Sequence, residues 1–477
     1  MTSAQRGHRN DRMSSFAEQT RWLDATGQAA LVASGEAEPG ELVEAAIERI
    51  ERFDPALGAV TQRYFDQARA AATAAAGPLA GVPFLIKDLF TDVAGQICTD
   101  ANLGLKATAS PADADSPLVA RYRAAGLIFA GRTATSEFGT VPSAESAAWG
   151  ATRNPWNTAL SPGGSSGGAA AAVAAGMVPA AHGTDAAGSI RIPASCCGLV
   201  GLAPSRAPGQ AVTSVQDLIV QLAVTRTVRD TALLLDIARG TENTAHGYLA
   251  ELGTDPGPLR VGLLDTRIDG SPVHPDCAEA ARSTARLLES LGHDVEPGFP
   301  AALGDSTLDR LLPAFWSSGM ADVLGEVSRA LGRDLTEPEV EPLNWALGVL
   351  GADVTAADRQ AAIDGVATFA RSVVSWWDDH DLLLTPTLAE PPLPSGTLAS
   401  TPEDPLAALR RSQRFAPFTP FANFTGQPAI ALPLHAAADG LPIGVQLVAA
   451  PGREDLLLQV AAQLENAAPW HDRRPPL

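Results

Sequence analysis

Lysine is almost absent from this sequence. Of 34 basic residues only Lys87 and Lys106 are lysines, and the other 32 are arginines. Either residue can supply a surface charge, but only lysine can lose its proton near neutral pH and act as a base. Lys106 lies among Gly, Ala and Thr, which is typical of a solvated loop, whereas Lys87 follows the apolar run 82–86. Of the two lysines, Lys87 is therefore the candidate for a chemical role.

Cysteine is scarce as well, with only four residues in the 477-residue chain: Cys98, Cys196, Cys197 and Cys277. Two of them are adjacent and none forms a CxxC pair, which excludes a disulfide framework and a cysteine-based metal site. We expect reduced, buried thiols. Residues 1–15 are polar without the apolar stretch of a secretion signal, and no run of about 18 apolar residues follows. These features predict a cytoplasmic protein with no membrane segment.

Positive charge is the minority, with 34 basic against 54 acidic residues and a net charge of −20. Binding to a nucleic-acid backbone or an anionic membrane depends on clustered Lys and Arg, so this balance argues against both partners. The length would suggest about three domains, but large α/β enzymes often exceed that length as one folded unit.

Apolar periodicity predicts alternating helices and strands. We expect two or three helices within residues 16–71, a buried strand ending at Lys87, a helix at 118–125 and a strand at 127–130. This order predicts an α/β fold with a largely parallel or mixed sheet. Later segments predict a mostly helical region at 300–380, strands at 261–264, 382–385, 429–432 and 443–448, and helices at 278–291 and 455–465.

Residues 161–205 have an unusual composition, with a Gly/Ser run at 161–168 and an Ala-rich stretch up to 176. The Ala-rich stretch predicts a helix that is packed closely on all sides. Residues 163–167 fit the G-x-S-x-G pattern of a nucleophile elbow, but that turn needs a preceding strand, and residues 154–162 are polar and broken by proline. The downstream histidines stand in polar loops or termini, which also argues against a Ser/His/Asp triad.

The alternative is that serines of this region work with Lys87. Small residues at 183–189 allow backbone N–H groups to converge on one point, as in an oxyanion hole. Small residues serve tight packing equally well, and the local pattern leaves both interpretations open. His182 is interpreted as a hydrogen-bonded core residue rather than a catalyst.

Several separated motifs together resemble the amidase signature family. They are the Gly/Ser run 163–168, the spacing between Ser165 and Ser189, and the segments 183–193 and 81–88. Residues 131–138, 154–157, 381–387 and 423–446 also match the family pattern in the family's order. The resemblance therefore covers nearly the whole chain.

This resemblance implies one amidase-signature domain at 16–477, with a central mixed β-sheet surrounded by helices, after a polar tail at 1–15. Within it we expect N-terminal helices at 16–71, a signature core at about 80–240, a helical substrate-pocket region at about 300–380, and C-terminal strands and a helix at 381–470.

The resemblance also implies a Ser, cis-Ser, Lys triad. Ser189 is the expected nucleophile, Ser165 the bridging serine after a cis peptide bond, and Lys87 the base. The expected reaction hydrolyses a C–N amide bond of a small linear or cyclic amide through an acyl-enzyme, with no metal or organic cofactor. The expected oxyanion-hole donors are the backbone N–H groups of residues 186–189: Ala186, Ala187, Gly188 and Ser189. Asp185 and Arg191 are expected to form a supporting ion pair.

The sequence departs from the family pattern at three positions. Ala187 stands where many members have a glycine, Ala203 replaces a common lysine, and Ala134 replaces a common asparagine. None belongs to the expected triad, but the methyl group of Ala187 is expected to affect which acyl groups fit. Residues 149–157, 185–193 and 440–464 are similar to the branch that hydrolyses 6-aminohexanoate cyclic dimers.

Two rival hypotheses concern other classes of function. One is the amidase subunit of a tRNA-dependent amidotransferase, which the acidic charge disfavours and which co-purifying subunits would favour. The other is a non-catalytic binding protein of the same fold, which predicts that a triad residue is missing. The expected partner is a small-molecule amide, with neither nucleic acid nor membrane, and a homodimer is one candidate assembly.

Overall fold

The computed structural model describes residues 15–242 and 246–477. Residues 1–14 of the predicted polar tail lie outside the described residues, and residues 15–20 are already helical. The region predicted to hold two or three N-terminal helices also contains a short strand, which separates two of its helices.

In the described residues, one mixed sheet of 11 strands lies at the centre, and a separate hairpin has two strands. The strand order in the large sheet is β1-β3-β2-β6-β8-β7-β12-β13-β11-β9-β10, and β4 pairs with β5. The strands are β1 (Val60–Arg63), β2 (Pro83–Lys87), β3 (Ile128–Thr133), β4 (Glu145–Ser146), β5 (Gly150–Ala151), β6 (Ala180–Asp185), β7 (Val200–Ala203), β8 (Val220–Thr225), β9 (Arg260–Leu263), β10 (Asp294–Pro297), β11 (Leu382–Pro386), β12 (Ala429–Ala436) and β13 (Pro442–Ala449).

Helices surround this sheet, as predicted. Their bounds are Ala25–Ala33, Pro39–Leu57, Phe65–Ala72, Leu103–Thr108, Pro117–Ala124, Gly167–Ala174, Arg191–Cys197, Val228–Arg239, Pro275–Ser290, Thr307–Leu331, Pro342–Ala352, Ala356–Val374, Ala407–Phe415, Pro420–Thr425 and Glu454–Ala467. Among the residues described, no helix combines the length and the apolar composition that crossing a membrane requires.

The strand that ends at Lys87 is confirmed, and every residue of β2 is buried. The Ala-rich helix Gly167–Ala174 is also confirmed, and all of its residues are buried. Gly168 allows this close packing, because a Cβ at that position would collide with the backbone of Ala134. The helix begins directly after Ser166, so its tight packing fixes the preceding serines against the sheet.

Strands β1, β6, β7, β8 and β10 were not predicted from the sequence. The β6 sequence, Ala-Ala-His-Gly-Thr-Asp, contains little of the β-branched and aromatic character that is typical of strands. It is a strand because it pairs in parallel with β2 on one side and antiparallel with β8 on the other. Tertiary pairing, rather than local propensity, decides its structure.

Three hydrophobic clusters form the interior of the part of the chain that the structure describes. The main cluster packs on the central sheet. Two smaller clusters involve the helical region: one includes Phe138, Met320, Val323 and Leu347, and the other is formed by Val212, Leu218, Phe315, Ala362, Val366 and Phe424. The predicted helical region therefore has its own packing beside the sheet.

Candidate active site

Lys87 lies at the carboxyl end of β2, next to the carboxyl end of the parallel strand β6. Its side chain is fully buried, and its Nζ lies 2.8 Å from Ser165 Oγ and 2.9 Å from Thr184 Oγ1. Burial lowers the pKa of Lys87 to about 7, although the negative charge of Asp185 opposes the shift. The amine can therefore lose its proton near neutral pH, which an exposed lysine cannot do.

Ser165 connects Lys87 to Ser189. The Gly164–Ser165 peptide bond is cis, as the resemblance implied, and Ser165 Oγ lies 3.1 Å from Ser189 Oγ. The adjacent Ser166 is also buried, but its Oγ donates to the carbonyl oxygen of Thr184 at 3.2 Å. The structure therefore brings Lys87, Ser165 and Ser189 into one hydrogen-bonded chain that leaves Ser166 out.

The carboxylate of Asp185 organises the loop that follows β6. It accepts hydrogen bonds from Gly188 N at 2.6 Å and from Ile190 N at 3.1 Å. In this geometry the Gly188 N–H is engaged by Asp185, whereas Ala186, Ala187 and Ser189 line the neighbouring cavity.

Asp185 and Arg191 form a fully buried ion pair, with 2.9 Å between Arg191 Nη2 and Asp185 Oδ1. Burial alone would raise the pKa of Asp185, but Arg191 and the hydrogen-bond donors around the carboxylate lower it overall. Arg191 also donates to Thr419 O at 2.8 Å and to Gln446 Oε1 at 2.7 Å. The pair therefore ties the Asp185 loop to the C-terminal part of the chain.

Sequence reasoning missed Thr184, Thr419, Asn423 and Gln446 as parts of the site. Thr184 contacts Lys87, while Thr419 Oγ1 donates to Ala187 O at 2.6 Å and Asn423 Nδ2 donates to Asp185 Oδ1 at 3.0 Å. Gly188 has a φ of +127°, and a Cβ there would collide with Thr419. The position of Thr184 just before Asp185 was an available signal, but the contacts of residues 419–446 depend on tertiary folding.

A cavity of about 220 Å³ opens beside the two serines. One side, which we call the serine wall, consists of Ser165, Thr184, Ala186, Ala187 and Ser189. Another part of the lining, which we call the helical wall, consists of Leu312, Trp316, Gly319, Met320, Val323 and Leu347. Among the described residues that line the cavity, none is charged and none is a histidine or cysteine. The lining therefore suits an uncharged, largely apolar ligand.

The arrangement differs from a Ser/His hydrolase site. Residues 152–163 form turns and isolated bridges, so no strand leads into Ser165 as a nucleophile elbow requires. His182 lies on β6, and its Nε2 is 3.2 Å from Gln221 Oε1. Burial lowers the pKa of His182 to about 3. The interpretation of His182 as a hydrogen-bonded core residue is confirmed.

The other residues that the sequence singled out are Lys106, the four cysteines and the three departures from the family pattern. Lys106 is exposed as expected, but it lies on a helix rather than in a loop, 3.8 Å from the ring centre of Trp149. All four cysteines are free, and three are buried while Cys98 is partly exposed. Among the side chains that the structure describes, no group of three or more His, Cys, Asp or Glu could hold a metal ion. Of the three departures from the family pattern, Ala187 is the one that lines the cavity.

Comparisons with known proteins agree with this geometry. The amidase family model matches residues 41–458. The 6-aminohexanoate-cyclic-dimer hydrolases of Pseudomonas sp. (strain NK87) and Paenarthrobacter ureafaciens are each 43% identical to the chain, over 96% of it and 97% of their own length. The solved structure of a 6-aminohexanoate cyclic dimer hydrolase matches with a TM-score of 0.90 and 41% identity, over 96% of this chain and 99% of that one. The resemblance to this branch is thereby confirmed. Because the matches extend over the sheet, both cavity walls and the C-terminal strands, the chain belongs to the amidase signature family and hydrolyses carbon–nitrogen bonds other than peptide bonds.

Proposed function

We propose that the chain hydrolyses a small amide through a Ser189, cis-Ser165, Lys87 triad. The observation that carries this proposal is the continuous contact from Lys87 Nζ through Ser165 Oγ to Ser189 Oγ, which ends at the cavity. A neutral Lys87 can accept the proton of Ser165, and Ser165 can at the same time accept the proton of Ser189. Ser189 is thereby activated to attack a carbonyl carbon in the cavity.

The proposed reaction has two halves. Attack by Ser189 Oγ forms a tetrahedral intermediate, whose oxyanion is stabilised by backbone N–H groups from the set Ala186, Ala187 and Ser189. The C–N bond then breaks, and the proton held by Lys87 returns through Ser165 to the leaving amine. Water attacks the resulting acyl-enzyme, gives its proton to the same relay and releases the carboxylic acid, which restores Ser189.

The substrate is proposed to be an uncharged, largely apolar amide, because the helical wall offers no ion-pair partner. A charged group buried there would lose its hydration without compensation. A cyclic amide such as the 6-aminohexanoate cyclic dimer, which gives the similar hydrolases their name, fits this description. The linear dimer carries an ammonium and a carboxylate, so we expect the purified chain to hydrolyse the cyclic compound in clear preference to the linear one.

We also propose that residues 300–380 are the substrate-pocket region, since helices Thr307–Leu331 and Pro342–Ala352 supply the helical wall. The four free thiols support the cytoplasmic location that we propose, because disulfides are rare in reducing compartments.

The proposal is tested with Ser189→Ala and with the matched control Ser166→Ala. Ser189→Ala is expected to abolish turnover and to remove the acyl-enzyme adduct in mass spectra of rapidly quenched reactions. Ser165→Ala is expected to slow the reaction severely, whereas Ser166→Ala is expected to cause a milder loss because the Ser166 hydroxyl donates to the Thr184 carbonyl and not to the Ser189 hydroxyl. Near-normal activity of folded Ser189→Ala would overturn the assignment. Hydrolysis by the purified chain alone would also separate this function from that of an amidotransferase subunit.

A further inference from the structure

Four residues other than glycine have left-handed backbone conformations in the described part of the chain. They are Phe90, Asp100, Ala101 and Phe138, with φ values of 46°, 48°, 54° and 52°. Residues with a Cβ rarely adopt this conformation, and where they do, surrounding contacts hold it, often beside a functional site. The four residues come from three separate positions along the chain, so their occurrence in one place needs an explanation.

Asp100 joins them. Its Oδ1 accepts a hydrogen bond from Phe90 N at 2.7 Å, and its main-chain oxygen accepts one from Phe138 N at 3.0 Å. Asp100 thus holds the amide groups of both phenylalanines, one through its side chain and one through its backbone. Burial raises the pKa of Asp100 to about 6. Because this value still lies below neutral pH, the carboxylate is ionised there and acts as an acceptor.

The residue before Asp100 connects this arrangement to the catalytic strand. Thr99 N donates to Asp88 Oδ1 at 2.8 Å, and Thr99 Oγ1 donates to Asp88 Oδ2 at 2.5 Å. Asp88 is fully buried and follows Lys87 directly in the chain. The position of Asp100 is therefore defined relative to the end of β2.

Both phenylalanines face the substrate cavity. Phe90 and Phe138 line it, and Phe90 is 37% exposed while Phe138 is 6% exposed. Gly139, which follows Phe138, lies close to the hydroxyl of Ser165. Asp100 itself does not line the cavity, so any effect on substrate passes through the residues it holds.

We propose that Asp100 is a positioning residue that holds Phe90 and Phe138 against the apolar part of the bound amide. This inference rests on the proposed function, because it assumes that the cavity beside Ser189 receives the substrate. Asp100 then controls the affinity for an apolar substrate and not the reactivity of the triad. The two aromatic residues form a third part of the pocket, beside the serine wall and the helical wall.

A reaction with an alkyl fluorophosphonate separates an effect on the binding of an apolar group from an effect on the reactivity of the triad. Ser189 Oγ forms the P–O bond, fluoride leaves, and the hydroxyl proton goes to the Lys87 relay. The inhibition constant KI from saturation kinetics reports the binding of the apolar chain, and the maximal rate kinact reports the triad. Asp100→Gly permits the same φ but removes the carboxylate, whereas Asp100→Asn keeps an oxygen that can accept from Phe90 N.

We expect Asp100→Gly to raise KI about tenfold with kinact changed by less than about twofold, and Asp100→Asn to retain both values within about twofold. Phe90→Ala removes a half-exposed ring and should reproduce the increase in KI, including in the case that Asp100→Gly does not fold. Equal KI values in the parent, Asp100→Gly and Phe90→Ala, or a fall in kinact alone, would overturn this inference. Absence of labelling at Ser189 in the parent would overturn the proposed function itself and the inference with it.

Discussion

The serine wall and the helical wall face the same cavity but are held in different ways. The serine wall adjoins the central sheet, and the buried Asp185–Arg191 pair ties its loop to residues 419–446. The helical wall packs in the two smaller hydrophobic clusters. One of its apolar contacts joins Trp316 and Phe424, whose ring centres lie 6.2 Å apart. Directional hydrogen bonds fix atoms to within tenths of an ångström, while apolar contacts tolerate adjustment. This difference fits our proposal that the serine wall carries out the reaction and the helical wall selects the substrate.

The largest effect is expected from Lys87→Arg, which replaces the proposed base that contacts Ser165 of the serine wall and keeps a positive charge. A guanidinium stays protonated at any working pH, so it cannot accept the proton of Ser165. We expect the rate to fall by about 10²-fold to 10⁴-fold, measured as kcat/KM on a neutral amide.

Lys106→Arg is the matched control, because Lys106 is exposed and lies on Trp149, where an arginine can also stack. Its rate should remain close to that of the parent. A folded Lys87→Arg variant that retains more than about a tenth of the parent rate would contradict the role of Lys87.

Arg191→Met tests what holds the serine wall in place. It leaves the buried carboxylate of Asp185 without its cation, and such a loss typically costs about 3–5 kcal/mol in free energy of unfolding. Urea unfolding followed by circular dichroism measures the effect. Arg410→Met is the control, since Arg410 and Asp404 are more than half exposed and should contribute less than about 1 kcal/mol. Equal losses in the two variants would show that the buried pair does not stabilise the wall.

The pH profile of the parent tests the protonation state of Lys87. Only the neutral amine accepts a proton, and burial lowers its pKa to about 7, so activity should rise with pH through this value. Below it, kcat/KM should fall about tenfold for each unit of pH. The measurement is kcat/KM across neutral pH, with circular dichroism to check that the protein stays folded. A rise that begins only near the ordinary lysine pKa of 10.5 would show that burial does not lower the pKa of Lys87 to near neutrality.

Trp316→Leu tests the helical wall. Removing aromatic surface should raise the KM for a bulky apolar amide about tenfold, with little change in kcat. The KM for acetamide should change less, because that substrate is too small to reach the wall. Trp376→Leu is the control, as Trp376 stacks on His380 outside the cavity lining. A fall in kcat with unchanged KM would place Trp316 with the reactive groups and remove the distinction between the two walls.

The smallest effect is expected from thiol alkylation under native conditions. Cys196 and Cys197 are buried, and burial raises the pKa of both thiols above its ordinary value. The reactive thiolate is therefore scarce, and no cysteine belongs to the described cavity lining. Iodoacetamide should leave the rate nearly intact, and rapid inactivation would reopen the identity of the nucleophile.

Segments with a strong composition bias were the ones that could be predicted. The apolar run before Lys87 is a buried strand, and the Ala-rich stretch is a buried helix, since neither composition suits exposure to water. Strand β6 was missed because its pairing partners β2 and β8 are distant in the sequence and its own residues favour no single structure.

The sequence by itself determined the residue types that the chemistry needs: one buried lysine in a chain of arginines, and serines among glycines at family spacing. Only the tertiary structure decided how those residues are connected. It assigned the Gly188 N–H to Asp185, placed Thr184 on Lys87, and brought Thr419 and residues 423–446 to the Asp185 loop. A hydrogen bond depends on distance and direction between atoms, and for residues far apart in the chain both are set by the packing of the whole sheet and its helices.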